Sequence, residues 1–304
     1  MTSFDVYSYG MISTSTLHVL NSSFPEPDAY AEIKNTYSMI GGEAANSSIV
    51  LSKLGVNVKL DGNWLGKNEK GFQTVNILKD FKIDTERLTL KADYRGVEEI
   101  VFADGNRRTI FGTYCNLLFT TKQWNEPVKE DIINAEVVCL DPFFKEESLF
   151  IAKICEELKK PYVTIDCTYT DEIAKNAEVI IISGEFRKRE YRNVDIEKLF
   201  QSYTGEAKGL VVFTAGSSNI LYGRAGEGIK RFTPYKIEPI DTAGAGDSFR
   251  SGVIYGLLKK WPEEKFISFA SALGAYICES FPGVLNAPSY IELIDHIERK
   301  GWVI

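Results

Sequence analysis

Four short apolar runs restrict the fold of this chain more than any other feature of its sequence. They are Val137-Val138-Cys139-Leu140, Tyr162-Val163-Thr164-Ile165, Val179-Ile180-Ile181-Ile182 and Leu210-Val211-Val212-Phe213, and segments with helical spacing separate them. A strand that is apolar along its whole length has both faces covered, so these runs predict a parallel sheet with helices on each side. Residues 4–10 and 56–60 read as two further strands of the same body. Residues 43–54 and 69–81 read as helices, the first closed by Gly55. Trp261-Pro262 breaks the chain before two closing helices, about 263–279 and 289–300.

Two other pieces have a different rhythm. Residues 16–20 and 31–40, around Pro25-Glu26-Pro27-Asp28, alternate apolar and polar side chains as half-exposed strands do. Residues 96–102 and 108–112 flank Ala103-Asp104-Gly105-Asn106, a hairpin signal. Tyr222 and the Gly226-Glu227-Gly228 turn predict a late hairpin, and residues 235–240 read as the start of a strand. The expected organisation is a single unit, residues 1–304, with β pieces at about 15–40 and 94–114 inserted in an α/β core. Ligands of such sheets bind beyond the carboxyl ends of the strands, and the inserts would form a lid there.

Composition removes several classes of function. The net charge is −7 in 304 residues, which argues against nucleic acid as a partner. No apolar stretch is long enough to span a membrane, and the first residues lack a signal-peptide pattern. The five cysteines include no C-x-x-C pair and read as buried thiols, so a cytoplasmic protein is expected. Only two histidines exist, His18 and His296, and both read as structural. Acid–base chemistry is therefore expected to rest on carboxylates.

The stretch Asp241-Thr242-Ala243-Gly244-Ala245-Gly246-Asp247-Ser248-Phe249 concentrates that chemistry. Small residues leading into a helix let the backbone approach a ligand, and the first N–H groups of a helix attract anions. Asp247 stands in the first turn of that helix. A carboxylate beside a phosphate cradle points to a base acting on an attacking hydroxyl.

Three stretches together resemble the ribokinase-like (PfkB) family of carbohydrate kinases. They are Gly41-Gly42-Glu43-Ala44-Ala45-Asn46 running to Leu54-Gly55, Thr214-Ala215-Gly216-Ser217-Ser218, and residues 241–249, which match the pattern D-T-x-G-A-G-D. The resemblance implies a Rossmann-like three-layer α/β/α core with a mostly parallel central sheet and a small β-sheet lid. It also implies transfer of the γ-phosphoryl of ATP, with magnesium, to an alcohol of a sugar or nucleoside. Asp247 falls on the catalytic base and Gly244, Ala245 and Gly246 on the anion hole. Asn46, Gly41 and Gly42 fall on the substrate side. Asp241 and Thr242, with Gly283 near them, fall on a monovalent-cation (K+) site. Ser183, Glu185, Thr214 and Gly216 fall on the nucleotide side. A homodimer through the lid is a further expectation.

The sequence also departs from the family pattern. Many members have Asp where this chain has Ser15, which leaves room for an acidic or modified substrate such as a sugar acid. Arg107 and Arg108 on the lid hairpin would then pair with its charge. The N-x-x-E motif reads Ser183-Gly184-Glu185-Phe186, and Asp-x-Asn reads Asp166-Cys167-Thr168. Two alternatives stay open: a nucleoside kinase, favoured if Phe102, Phe111 or Tyr114 lines the pocket, and a non-catalytic sugar- or nucleotide-binding regulator.

Overall fold

The computed structural model of the chain describes residues 4–104, 108–118 and 120–304. In chain order the strands are β1 (Val6–Gly10), β2 (Ser13–Leu20), β3 (Ile33–Gly41), β4 (Val58–Gly62), β5 (Leu65–Gly66), β6 (Leu90–Lys91), β7 (Glu98–Ala103), β8 (Arg108–Gly112), β9 (Val137–Leu140), β10 (Tyr162–Ile165), β11 (Val179–Ile182), β12 (Leu210–Ala215), β13 (Ser218–Gly223) and β14 (Lys230–Phe232). The large sheet runs β14-β13-β12-β11-β10-β9-β1-β4. From β12 to β4 every pair is parallel. The edge pairs β12–β13 and β13–β14 are antiparallel, and β13–β14 is the expected late hairpin.

The four apolar runs form strands because each has two cores to serve. Val137, Cys139, Val163, Val179, Ile181, Leu210 and Val212 enter one buried layer. Val138, Leu140, Tyr162, Ile180, Ile182, Val211 and Phe213 enter the other. Successive side chains of a strand point to opposite faces, so an uninterrupted apolar run is what a doubly covered sheet needs. Helices Glu43–Lys53, Ala245–Leu258, Glu263–Cys278 and Tyr290–Lys300 cover the first face, and Lys145–Glu157 and Ile196–Glu206 cover the second.

The inserted pieces form a separate sheet of order β3-β2-β7-β8. The β2–β7 pair is parallel, and β2–β3 and β7–β8 are antiparallel. The strands flanking the expected hairpin pair with each other, Ala103 with Arg108, while Gly105 and Asn106 of its turn lie outside the described residues.

Two expectations need correction. Residues 235–240 are not a strand. Pro234 and Pro239 lack the N–H groups a ladder requires. Tyr235 instead stacks on Trp302, with ring centroids 4.3 Å apart, and Ile240 N donates to Cys278 O at 2.7 Å. The strand expected at 56–60 starts later, at Val58, because Val56 N is used by Leu51 O in closing the preceding helix. No helix among the described residues is long and apolar enough to cross a membrane. Of the five cysteines, all free, only Cys115 is exposed.

Candidate active site

Strand order reverses between β1 and β9, and a crevice opens at the carboxyl ends of the strands there. The segment 241–249 is steered into it. Asp241 N donates to Cys278 O at 3.1 Å, and Asp241 Oδ1 accepts from Ala243 N at 2.9 Å. Gly244 then turns the chain with φ of 74°. A Cβ on Gly244 would lie 2.1 Å from Val284 Cγ2, so both the dihedral and the space demand glycine. Helix Ala245–Leu258 begins at the next residue. The N–H groups of Gly246 and Asp247 have no protein partner among the described residues. Free N–H groups at the positive end of a helix form an anion cradle, which fits the phosphates of a nucleotide.

Asp247 is fixed from the opposite side by the helix Glu43–Lys53. Asn46 Nδ2 donates to Asp247 Oδ2 at 2.8 Å. The Asp247 carbonyl accepts from Ser251 Oγ at 2.8 Å and Ser47 Oγ at 3.3 Å. Gly42, at φ of 91°, lets this helix start against the Met11 carbonyl, where a Cβ would be 2.3 Å away. Behind lies a wholly buried ion pair: Arg250 Nη1 is 2.5 Å from Asp141 Oδ1, and both side chains have 0% exposure. Arg250 Nε also donates to Ser47 Oγ at 3.0 Å, and Met11 N donates to Asp141 Oδ2 at 2.8 Å.

This setting makes Asp247 a weaker acid than usual. Burial pushes its carboxyl up to about 6; Arg250 and the Asn46 hydrogen bond pull it down, while Asp141 and Glu99 add to the rise. A carboxylate with that value, reached from the crevice, can take a proton from a hydroxyl at neutral pH. Activity is therefore expected to fall on acidification, with the acid limb of kcat/KM near pH 6. Removing the Asn46 hydrogen bond removes a downward pull. Asn46→Ala should move the limb to higher pH, which a pH–rate profile of both proteins reads directly.

A cavity of about 190 Å³ lies between this floor and the small sheet. Ser15, Gly41, Gly42, Asn46, Asp241, Gly244 and Asp247 all line it. Arg107 lies outside the described residues; its neighbour Arg108 lines the cavity. Of the three aromatic candidates only Tyr114 reaches the cavity. Phe102 packs on Phe24 and Phe111 instead. Neither histidine lines the cavity, and His18 Nδ1 is 3.0 Å from Thr36 Oγ1. Two acidic lining residues were not anticipated from sequence, Glu43 and Glu99. For Glu99 the signal was ambiguous, because Glu98 precedes it and only one of two neighbours on a strand faces inward. The structure turns Glu98 away, to Arg95 at 2.6 Å and Lys70 at 3.1 Å.

The profile of the family described as pfkB family carbohydrate kinase matches residues 6–288. The chain belongs to this family. It is an enzyme, a phosphotransferase with an alcohol group as acceptor. The ribokinase of Lactococcus lactis subsp. lactis (strain IL1403) is 25% identical over 224 residues, covering 71% of this chain and 72% of that protein. The nucleoside kinase of Methanothermobacter thermautotrophicus is 26% identical over 284 residues, covering 89% of this chain and 88% of that protein. Among solved structures, Arabidopsis thaliana ribokinase complexed with ribose and ATP shares the fold with a TM-score of 0.79, at 16% identity and coverage of 97% and 98%.

In this pfkB kinase the residues expected on the nucleotide side form a second cluster, outside the cavity lining. Ser183 and Glu185 follow β11, and Thr214 lies near the end of the adjacent parallel β12, which Gly216 follows. Ser183 Oγ accepts from Phe186 N at 3.0 Å and donates to Asp166 Oδ2 at 2.9 Å. Phe186, at the position of the motif's Glu, is 6% exposed and belongs to the core. Glu185 is exposed, and Gly216 turns the chain with φ of 54°. Arg187 donates to the Thr214 carbonyl at 2.8 Å. Thr242 is exposed, and Gly283 lies against Ala243 and Asp241. Among the described residues no group of three His, Cys, Asp or Glu side chains could hold a metal ion.

Proposed function

We propose that this kinase transfers the γ-phosphoryl of ATP to a hydroxyl of a sugar or sugar derivative, with Asp247 as general base. One observation carries the reading: a carboxylate with a pKa of about 6 stands in the first turn of a helix whose leading N–H groups are free. The acceptor hydroxyl gives its proton to Asp247 as its oxygen attacks phosphorus in line. Backbone N–H groups around Gly244, Ala245 and Gly246 steady the charge on the transferring oxygens. Asn46 holds Asp247 through Nδ2 and keeps Oδ1 for the acceptor, while Gly41 and Gly42 let the acceptor lie against backbone. Ser183, Glu185, Thr214 and Gly216 serve the nucleotide side.

Magnesium, when bound, neutralises phosphate charge; with no protein cage for it among the described residues, the nucleotide phosphates would carry it. A monovalent cation at Asp241 and Thr242 belongs to the same proposal, supported by the approach of Gly283 to Asp241. In this reading residues 1–304 work as one unit, the small sheet is a lid over the cavity, and its open edges β3 and β8 are where a second copy would join. A nucleoside acceptor is the second reading, favoured by the aliphatic Leu17, Met39, Val101 and Ile110 on the cavity side of that sheet.

Measuring ADP release with magnesium and potassium tests the proposal across pentoses, hexoses, sugar acids, sugar phosphates and nucleosides. Acceptor-dependent release above basal hydrolysis is expected. Tight ATP binding with no acceptor-dependent release would instead favour a non-catalytic binder.

A further inference from the structure

A carboxylate stands beside Ser15 on the neighbouring strand. Ser15 and Glu99 are cross-strand partners in the parallel pair β2–β7. Both line the cavity. The Glu99 carboxylate reaches Gly41 so closely that a Cβ there would lie 2.5 Å from Oε2. Burial pushes Glu99 up, and the hydroxyls of Ser13 and Ser15 pull it back, with Arg108 acting through space. Glu98 is neutralised by two cations, whereas the protein groups turned to Glu99 are chiefly hydroxyls. A carboxylate in that position is ready to accept hydrogen bonds from a ligand.

We propose that Glu99 is a specificity-determining residue of the acceptor site. Its carboxylate binds acceptor hydroxyls, and the site takes an uncharged polyhydroxy compound in preference to a sugar acid or sugar phosphate. The inference rests on the kinase reading above. A further acceptor atom at the cavity, Asn46 Oδ1, has no protein partner. Two acceptors around one small space call for a ligand that donates. Hydroxyls donate; carboxylates and phosphates do not. Charge points the same way: Glu99, Asp241 and Asp247 line the cavity with one cation, Arg108, among the described residues, while burial and the nearby Asp141 and Asp247 push the Glu43 carboxyl well up, towards its neutral form. Arg108 pairs with Ala103, while Glu99 pairs with Gly112, so the cation stands at the other end of the inner face.

The test compares wild type, Glu99→Gln and the double variant Ser15→Asp/Glu99→Ser, which returns the carboxylate to the neighbouring strand. The probes are D-ribose, D-fructose, D-gluconate and D-ribose 5-phosphate, followed by ADP release. The wild type is expected to use a neutral sugar best. Glu99→Gln should raise KM for that sugar about 10- to 100-fold, the loss of one or two charge-assisted hydrogen bonds, with a smaller change in kcat and none in KM for ATP. The double variant should recover most of the loss. Preference of the wild type for D-gluconate or the sugar phosphate overturns the inference, as does an unchanged sugar KM in Glu99→Gln. If no probe is turned over while Asp247-dependent ATP hydrolysis persists, the role of Glu99 fails and phosphoryl transfer stands. Loss of ATP hydrolysis and binding in the wild type overturns the kinase reading itself.

Discussion

Replacing Asp247 by Asn is expected to lower kcat by about 10²–10⁴-fold, the usual contribution of a positioned base. The change is nearly isosteric. An amide oxygen can still accept from Asn46 Nδ2, now 2.8 Å from Oδ2, and the backbone contacts of residue 247 to Ser47 and Ser251 do not involve its side chain. KM for ATP should therefore move little. Stability should not fall either, and the sign follows from the raised pKa. A carboxyl held at about 6 in the folded chain, against an ordinary 3.8, keeps its proton longer in the folded state. Folding stability is thus lost as pH climbs through that window, because the folded state then gives up favourable proton binding. At pH 7 the amide removes this penalty, so the melting temperature should stay level or rise. Steady-state kinetics and a thermal melt on one preparation check both halves. Unchanged turnover would sink the role given to Asp247.

Arg250→Met should cost about 3–5 kcal/mol of stability, because it leaves Asp141 charged in the interior without its counter-ion. For a chain of this size that corresponds to a drop in melting temperature on the order of 10 °C. The remaining Met11 N–H to Asp141 Oδ2 contact, at 2.8 Å, cannot replace a guanidinium at 2.5 Å. Removing both charges, as in Asp141→Leu/Arg250→Met, should return much of the stability, since apolar replacements of a buried pair are often neutral. The single variant also lifts a downward pull on Asp247, so its acid limb should move to higher pH. Calorimetry on the three proteins decides the matter. A melting temperature within about 2 °C of wild type for Arg250→Met would show that the pair does not hold the structure.

The layers of this fold could be read from sequence because the physics was local to each run. An apolar strand such as Val179–Ile182 announces two covered faces by itself. The local arrangement of 241–249 was also legible, since it sets a helix N-terminus and a carboxylate within one turn. What failed was information held between segments. On β7 Arg95 and Lys70 hold Glu98 on the opposite face, where it is buried, and leave Glu99 at the cavity. The partner of Arg250 lies 109 residues away, at the end of a strand recognised only for its apolar run. The strand predicted at 235–240 failed for a local reason that was available, the two prolines, outweighed by the apolar spacing around them.

The hydrogen bond between Asn46 and Asp247 joins residues 201 positions apart, and Arg250 reaches Ser47 across 203. Contacts this distant form late, after nearer pairings have lowered the entropy of closing the loop. The reactive centre is consequently a seal on the completed molecule. A truncated or half-folded chain can have the segment 241–249 without the Asn46 contact that fixes its carboxylate. The placement of that carboxylate is therefore a mark that both ends of the chain have found each other.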